Sequence, residues 1–446
     1  MKRLLLILLF LPMLAFGQAS YTITIDNGNA WQGNLFLHLN PGHSERVKII
    51  NPAGIEIFSE NWGPRGRDFK LNYNNRLSYF DNISDGWFIM DSLQNEIDSV
   101  YAQNGYIADN HDFLALANGN YVLFCYDQQP YAMDTVVAGG DPNALVEGLI
   151  IQELDANHNV IFEWKSWDHF HITDNTHLAP WTGANLNFIH ANAIDIDFDG
   201  NFLISSRNLD EITKINRTTG EIIWRWGGSQ NEFNFVNDYP FTGQHSIRSL
   251  GDNRYLLFDN GMYSSQYTGS MNISRAVEYL LDTNLMTAEK VWEFVHPDSL
   301  YSHHVSSVQR LPNGNTLIDY GNLQSINLGA IITEVDSNNQ IVFQLEWSND
   351  VRLYRAKKYD WFFYTPDSWD CNMGVCNNPG TGNGQYTDSL SCVVNCPPVT
   401  SIQEHTTSKE LLKVTDLLGR ETKGKRNELL FYIYDDGTVE KKIIIE

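Results

Sequence analysis

Residues 304–318 read HVSSVQRLPNGNTLI, and the same phrase recurs as HDFLALANGNYVL (111–123) and HSIRSLGDNRYLL (245–257). Each begins with a histidine, runs extended, turns at an Asn-Gly-type pair and returns as an apolar strand. HANAIDIDFDGNFLI (190–204) keeps that frame, and RDFKLNYNNRLSYF (67–80) keeps it with arginine in the histidine's place. A hairpin that recurs while placing titratable residues at its start predicts a circular β-fold with a converging polar site.

The register sharpens this expectation. With Asn75, Gly119, Gly200, Asn253 and Gly314 as turn anchors, eight positions earlier stand Arg67, His111, Asn192, His245 and Ser306. Ten positions earlier stand Arg65, Asp109, His190, Gly243 and His304. Offsets of equal parity share one face of a strand, so four histidines and two arginines are expected to face the same way. His303, one residue off that parity, is expected on the opposite face.

Each unit closes with a third strand, a polar turn and a fourth strand bearing a tryptophan, as in LIIQELDANHNVIFEW (149–164) and ITKINRTTGEIIWRW (212–226). Trp164, Trp224, Trp292 and Trp347 therefore read as repeated core filler. Four antiparallel strands per unit, with units starting near 67, 111, 190, 245 and 304, is the signature of a β-propeller. Residues 352–364 (RLYRAKKYDWFFY) look like a first strand without followers, and residues 34–62 like three followers without a first strand. Joined, they supply a sixth blade and remove the open edge. The expected fold is all-β: a six-bladed β-propeller closed by both termini, with a small C-terminal β-sandwich.

Long insertions at about 125–189 and at 227–244 interrupt the spacing and are expected over the mouth that holds the histidines. Residues 1–17 carry Lys2 and Arg3, an apolar run and a small-residue site at Ala15 and Gly17, the pattern of a cleaved signal peptide. The organisation expected is 1–17 signal peptide, 18–364 propeller, 365–400 Cys/Gly-rich linker and 401–446 C-terminal module. No other stretch is long enough to span a membrane, so an exported protein is expected. In that setting Cys371, Cys376, Cys392 and Cys396 read as two disulfides of open connectivity, with a zinc site as the alternative. Cys125 is left as a buried thiol.

A formal net charge of −24 argues against nucleic acid or an anionic membrane as partner. It leaves room for a small anion, because a local cluster of Arg and His reverses the field. The face carrying Arg65, Arg67, His111, His190, His245 and His304 suits one, with Asn192 on the same register. Arg207 and Arg275, near the starts and ends of neighbouring strands, are placed to reach the rim. A lone histidine in a β-protein is usually a hydrogen-bonded structural residue; the shared register is what argues otherwise here. His169 and His171 beside Asp168 form a candidate metal pair without an evident third ligand. Asp195, Asp197 and Asp199 could hold calcium, a solvated loop being the plainer reading. Trp167 and Trp181 in the first insertion could stack on an aromatic substrate.

The segments HANAID, DGNFLISSRN, TGEIIWRWGG, QHSIRSL and SVQRLPNGNTLI together resemble bacterial arylsulfate sulfotransferases that use no nucleotide sulfate donor, over roughly residues 30–364. The resemblance implies a six-bladed propeller and ping-pong transfer of a sulfuryl group from an aryl sulfate to a phenolic acceptor through a sulfohistidine. It implies His304 as the nucleophile, and His190, His245 and Arg275 as sulfate-binding residues. His111, Arg67, Arg65, Arg207, Asn192 and Trp181 complete the expected substrate site. The chain leaves little room for the additional N-terminal β-domain found in some members of that family. Separately, VTDLLGRE and FYIYDDGTVEKKIIIE resemble the C-terminal sorting module of Bacteroidetes type IX secretion cargo. That implies the type IX machinery as a partner and delivery across the outer membrane.

Sulfuryl transfer needs cationic donors and an imidazole nucleophile, and no metal or organic cofactor. Two other classes stay open on sequence alone: a non-catalytic propeller that binds glycan or protein, and a hydrolase or lyase acting on anionic polysaccharide. Oligomeric state is also open, a homodimer among the options.

Overall fold

The computed structural model describes residues 20–40, 46–177, 181–364, 368–378, 384–396, 409–423 and 427–443. The expected signal peptide and residues 401–408 lie outside them. The chain is all-β and divides into two compact units, Met1–Tyr364 and Thr365–Glu446.

In the first unit, six sheets of four or five strands follow one another, antiparallel except where the short strands Asn185–Asn187 and Asn234–Val236 pair in parallel. Their inner strands are Arg65–Leu71, Ile107–Ala115, Ala191–Ile196, His245–Gly251, Ser307–Arg310 and Leu353–Tyr359. Each inner strand touches the next, and the last touches the first. The hairpin frame explains this repetition. All five anchor residues adopt positive φ, from 56° at Asn253 to 90° at Gly119, a conformation that Asn and Gly tolerate best.

The orphan strand finds its place. Leu353–Tyr359 pairs antiparallel with Asn34–Leu39, running from Asn34 opposite Tyr359 to Leu39 opposite Leu353. One feature was not anticipated: Tyr21–Asp26 adds a fifth strand to the neighbouring sheet by pairing with Ile341–Trp347. Both ends of the unit are thereby tied into sheets built mainly by distant residues. Trp164, Trp224 and Trp347 are buried between sheets. Trp292 departs from that expectation. It is half-buried, its Nε1 donates to Asn339 Oδ1 at 2.7 Å, and Arg310 lies over its ring.

A buried charge network joins the inner strands. Fully buried Asp112 pairs with Arg355 at 3.1 Å, Arg248 at 3.3 Å and Lys70. It also accepts from the Ile194 backbone N–H at 3.1 Å. Arg355 and Lys70 additionally share Asp68, at 2.9 and 2.6 Å. Burial works against ionising Asp112, but Arg355, Lys70 and Arg248 outweigh it and hold the carboxyl well below its usual range.

In the second unit, Cys371 is bonded to Cys396 and Cys376 to Cys392, around a short hairpin and the helix Ser389–Asn395. The remaining described strands, Leu411–Thr415, Leu429–Tyr434 and Val439–Ile443, form one three-stranded antiparallel sheet. Cys125 is a free, buried thiol of the first unit.

Removing one partner from a buried ion network leaves uncompensated charge, so Asp112→Ala should destabilise the first unit by about 3–5 kcal/mol. Urea denaturation measures this; a change below about 1 kcal/mol would mean the cations are neutralised elsewhere.

Candidate functional site

The inner strands are distorted where they enter the ring. Pairing slips between Arg65 and Arg67, between Ala191 and Ala193, and between His245 and Arg248. Positive φ values cluster at the same level: Gly66 (102°), Asp68 (53°), His190 (49°), Ser246 (62°), Val305 (57°) and Ser306 (83°). Such bulges re-aim side chains that regular alternation would send elsewhere. His190 and His304 do converge with His111 and His245, but strand parity is not the reason. Both precede their strands, which begin at Ala191 and Ser307, and the left-handed residues turn them inward.

The result is a cavity of about 320 Å³. It is lined by His111, His190, His245, His304 and Arg67, joined by His38, Asn40, Arg352, Tyr354 and the chain at Val305 and Leu353. His111 places Nδ1 2.7 Å from Asp109 Oδ1, which fixes the N–H there and leaves Nε2 as the free nitrogen. His111 and His190 meet edge to face, with ring centroids 4.8 Å apart. His190 Nδ1 faces the Asn187 amide at 3.2 Å, a residue supplied by the end of the first insertion. His245 Nδ1 sits 3.0 Å from Gly243 O and 2.8 Å from Asn260 Oδ1, both acceptors, so its Nε2 is also the unprotonated nitrogen of the neutral ring. His304 is held by the Asn322 side-chain amide, 2.8 Å from its Nε2.

The electrostatics are one-sided. Burial, then neighbouring His303, Arg207 and Arg352, push His304 down to about 4. Burial leads the same shift in His190, seconded by His111 and Arg207, and in His245, seconded by Arg207; both fall well below the usual imidazole range. His38 is pushed down to about 3 by burial, Arg46 and Arg67. Arg67 lies over the Tyr354 ring, 4.4 Å from its centroid. Among the described residues no carboxylate lies within ion-pair distance of Arg67, Arg207 or Arg352. Neutral imidazoles beside cations that lack a carboxylate partner among the described residues form a cup whose chemistry suits an anion.

Several expected members stand apart. Arg275 is fully buried outside the cavity, paired with Asp238 at 2.6 Å, Asp259 at 2.9 Å and Glu293 at 3.0 Å. Three carboxylates already satisfy its guanidinium, which makes it a tie between strands rather than an anion ligand. Arg65 is likewise taken by Asp81 and Glu96. Asn192 is buried in the strand below the cavity, donating to Gln244 O at 2.7 Å. Trp181 packs with Trp167 on the core cluster beside the insertion and does not line the cavity. Arg207 borders it, lowering the three histidines named above while its guanidinium contacts Asn208. His303 meets His304 edge to face, centroids 4.1 Å apart, and is not a lining residue.

The metal candidates have other employment. His169 stacks flat on Trp164 and His171 caps a short turn through Thr173. Asp197 and Asp199 both pair with Lys214, at 2.6 and 2.7 Å, while Asp195 accepts from Tyr73 and Ser249. The residues that sequence reasoning missed come from second strands and from the closing strand. His38 ends the strand Asn34–Leu39, Asn322 follows Thr316–Tyr320, and Arg352 and Tyr354 belong to the C-terminal closure. The ends of second strands meet the same mouth as the starts of first strands, a geometric signal that was available in the hairpin frame.

The arylsulfotransferase (ASST) family model matches residues 56–355. The chain belongs to that family. Membership brings arylsulfotransferase-type function, with aryl sulfates and phenols as the substrate classes it implies. No curated protein matched the chain. Among solved structures it is similar to a Bacteroides caccae protein of unknown function (12% identity, TM-score 0.46, covering 74% of this chain and 100% of that one). It is also similar to a Staphylococcus aureus virginiamycin B lyase in complex with quinupristin (9%, 0.38, 96% and 100%). A Pseudomonas aeruginosa periplasmic gluconolactonase is a third (12%, 0.38, 72% and 98%).

The cavity histidines have a consequence for stability. The folded pKa values of His190, His245 and His304 lie below the ordinary 6.5, so the unfolded chain takes up protons that the folded chain refuses as pH falls through 6.5. Stability should therefore decline on acidification from about 6.5 toward 4, the folded value of His304. Urea midpoints at about pH 7 and about pH 5 test this, and the drop should shrink in His190→Asn, which cannot take up the proton.

Proposed function

We propose that this chain is a six-bladed propeller enzyme that transfers a sulfuryl group from an aryl sulfate to a phenolic acceptor through a sulfohistidine on His304. The observation that carries the reading is the cavity itself: four depressed-pKa or dyad-held histidines and Arg67 around about 320 Å³, with no carboxylate partner for the arginine among the described residues. The cyclic contact order of the inner strands supports the six blades.

In the first half-reaction a neutral imidazole nitrogen of His304 attacks sulfur, the N–S bond forms and the S–O bond to the phenolate breaks. In the second, the acceptor phenol oxygen attacks sulfur, restoring neutral His304. A loose transition state spreads charge over the three peripheral oxygens, so positioned cations and donors supply most of the stabilisation. Arg67, with Arg207 and Arg352 at the border, fits that task in place of Arg275. The Asp109–His111 pair suits proton movement. In the second half-reaction His111 Nε2 takes the acceptor's proton, its charge balanced by Asp109, and in the next turnover it gives that proton to the leaving phenolate.

His304→Ala should abolish transfer from 4-nitrophenyl sulfate to phenol and any covalent sulfo-adduct, whereas His303→Ala should keep most of the rate. Arg67→Ala should lower kcat/KM by about 10²–10³, the cost of removing an oxyanion-type donor. The transfer rate should fall as pH drops through about 4 and His304 protonates. Mass spectrometry after exposure to donor alone is decisive: an adduct on His303, or on no histidine, would overturn the assignment. Release of phenol indifferent to added acceptor would point to a hydrolase, and silence to a binding protein.

We read residues 1–17 and 401–446 as export signals, the latter a type IX sorting module, which makes the enzyme secreted or cell-surface. Support comes from the apolar leader and the charge-rich β-pattern of the C-terminus. A chain ending near residue 400 should retain full activity in vitro and fail to reach the cell exterior. Loss of activity in that truncation would count against the separation of roles.

A further inference from the structure

The ring has a second mouth. A cavity of about 430 Å³ lies at the other end of the inner strands, and each of the six contributes a lining residue: Lys70, Leu114, Asp195, Arg248, Gln309 and Lys357. These stand three to five positions beyond the residues that line the histidine cavity, Arg67, His111, His190, His245, His304 and Tyr354. Between the two levels lies the Arg355–Asp68–Asp112 network, so the cavities are separate sites.

Charge at this end is unevenly matched. Lys70, Arg248 and Arg355 share two carboxylates, Asp68 and Asp112. Lys357, 5% exposed, has no carboxylate within ion-pair distance among the described residues, and its Nζ donates only to Val308 O at 3.0 Å. Asp195 lies in the same cavity but is occupied by the Tyr73 hydroxyl at 2.6 Å and the Ser249 N–H at 2.9 Å. Burial, then Arg248 and Arg355, drive the Lys357 amine well below its usual range, the response of a cation whose neighbours are cations. Asp112 and Asp68 oppose that fall without offsetting it, and Asp319, which feels Lys357, is fully buried with its carboxyl raised well above the usual range by that burial. The walls are different in kind: Leu71, Leu114, Leu250 and the rings of Tyr73 and Tyr359.

We propose that this second mouth binds a small organic anion, with its acidic head against Lys357 and Arg248 and its apolar body against the leucine and tyrosine walls. The volume suits a compact ring compound, within the usual range of small-molecule sites. The inference does not depend on sulfuryl transfer, since no residue of the histidine cavity takes part.

Isothermal titration of the full chain with benzenesulfonate tests it. Two binding events are expected, one lost in Arg67→Ala and the other weakened at least about tenfold in Lys357→Met, the scale of one charge-assisted hydrogen bond. Tyr73→Glu, a change at an exposed wall residue, should weaken the same event by placing a carboxylate at the entrance. If Lys357→Met fails to fold, Tyr73→Glu decides alone. Both variants should turn over 4-nitrophenyl sulfate at the wild-type rate. A single event that vanishes in Arg67→Ala, or two events untouched by Tyr73→Glu, would overturn the proposal. Inorganic sulfate binding as tightly as benzenesulfonate at this mouth would overturn its organic part.

Discussion

Asp112 is the point through which the architecture is tied. Its carboxylate reaches side chains on three inner strands other than its own (Lys70, Arg248 and Arg355) and a backbone N–H on another, at Ile194. Five of the six strands around the axis therefore meet at one residue. Arg355 comes from the C-terminal closing strand, so the network can form only once that strand has paired with Asn34–Leu39. A ring of sheets held by hydrophobic packing alone would tolerate small changes of stagger, because apolar contacts are not directional. A fully buried carboxylate with three cationic partners does not tolerate them, since each lost partner leaves charge in a low-dielectric interior.

The same network divides the axis. Tyr354 and Arg355 cross it from the closing strand; the single Tyr354 hydroxyl proton is shared between His111 O at 2.8 Å and Asn192 O at 3.1 Å. Above that level the side chains include imidazoles and arginines without a carboxylate partner among the described residues; below it they include lysines, Arg248 and apolar walls. A histidine or arginine at the start of an inner strand and a residue a few places on thus serve different mouths. The floor of the upper cavity is built from buried ion pairs and backbone acceptors.

The hairpin repeat made most of the fold legible. Asn-Gly turns demand positive φ, and alternating apolar residues demand packed faces, so five units and the split sixth can be read from residues alone. The N-terminal strand Tyr21–Asp26 escaped because it completes another unit's sheet, and nothing local marks a strand's distant partner. His111, His190, His245, His304 and Arg67, which counting back from the turns puts on one face, do line one cavity. Arg275 was misplaced, because local pattern carries no record of Asp238, Asp259 and Glu293 closing around it. His38 and Arg352 were missed for the converse reason: each lies in a terminal segment that reaches the mouth only through ring closure. Even the correct convergence had another cause than the parity used to find it, for bulges and left-handed residues override alternation at the mouth.

Those bulges also account for the chemistry the cavity can support. Imidazoles on regular strands would alternate between the axis and the sheet interior; a local left-handed residue crowds them at one level instead. Crowding buries the rings beside Arg67 and Arg207, and burial and positive charge both act against protonation. A nitrogen held neutral keeps its lone pair, while cations that lack carboxylate partners keep their field for an incoming anion. If the arginines were paired with acids, burial would still act against protonation, but the cationic contribution would be lost and an anion would meet a weaker field. Low imidazole basicity and a positive field are therefore two effects of one arrangement, cations with no carboxylate partner among the described residues in a cavity walled by imidazole.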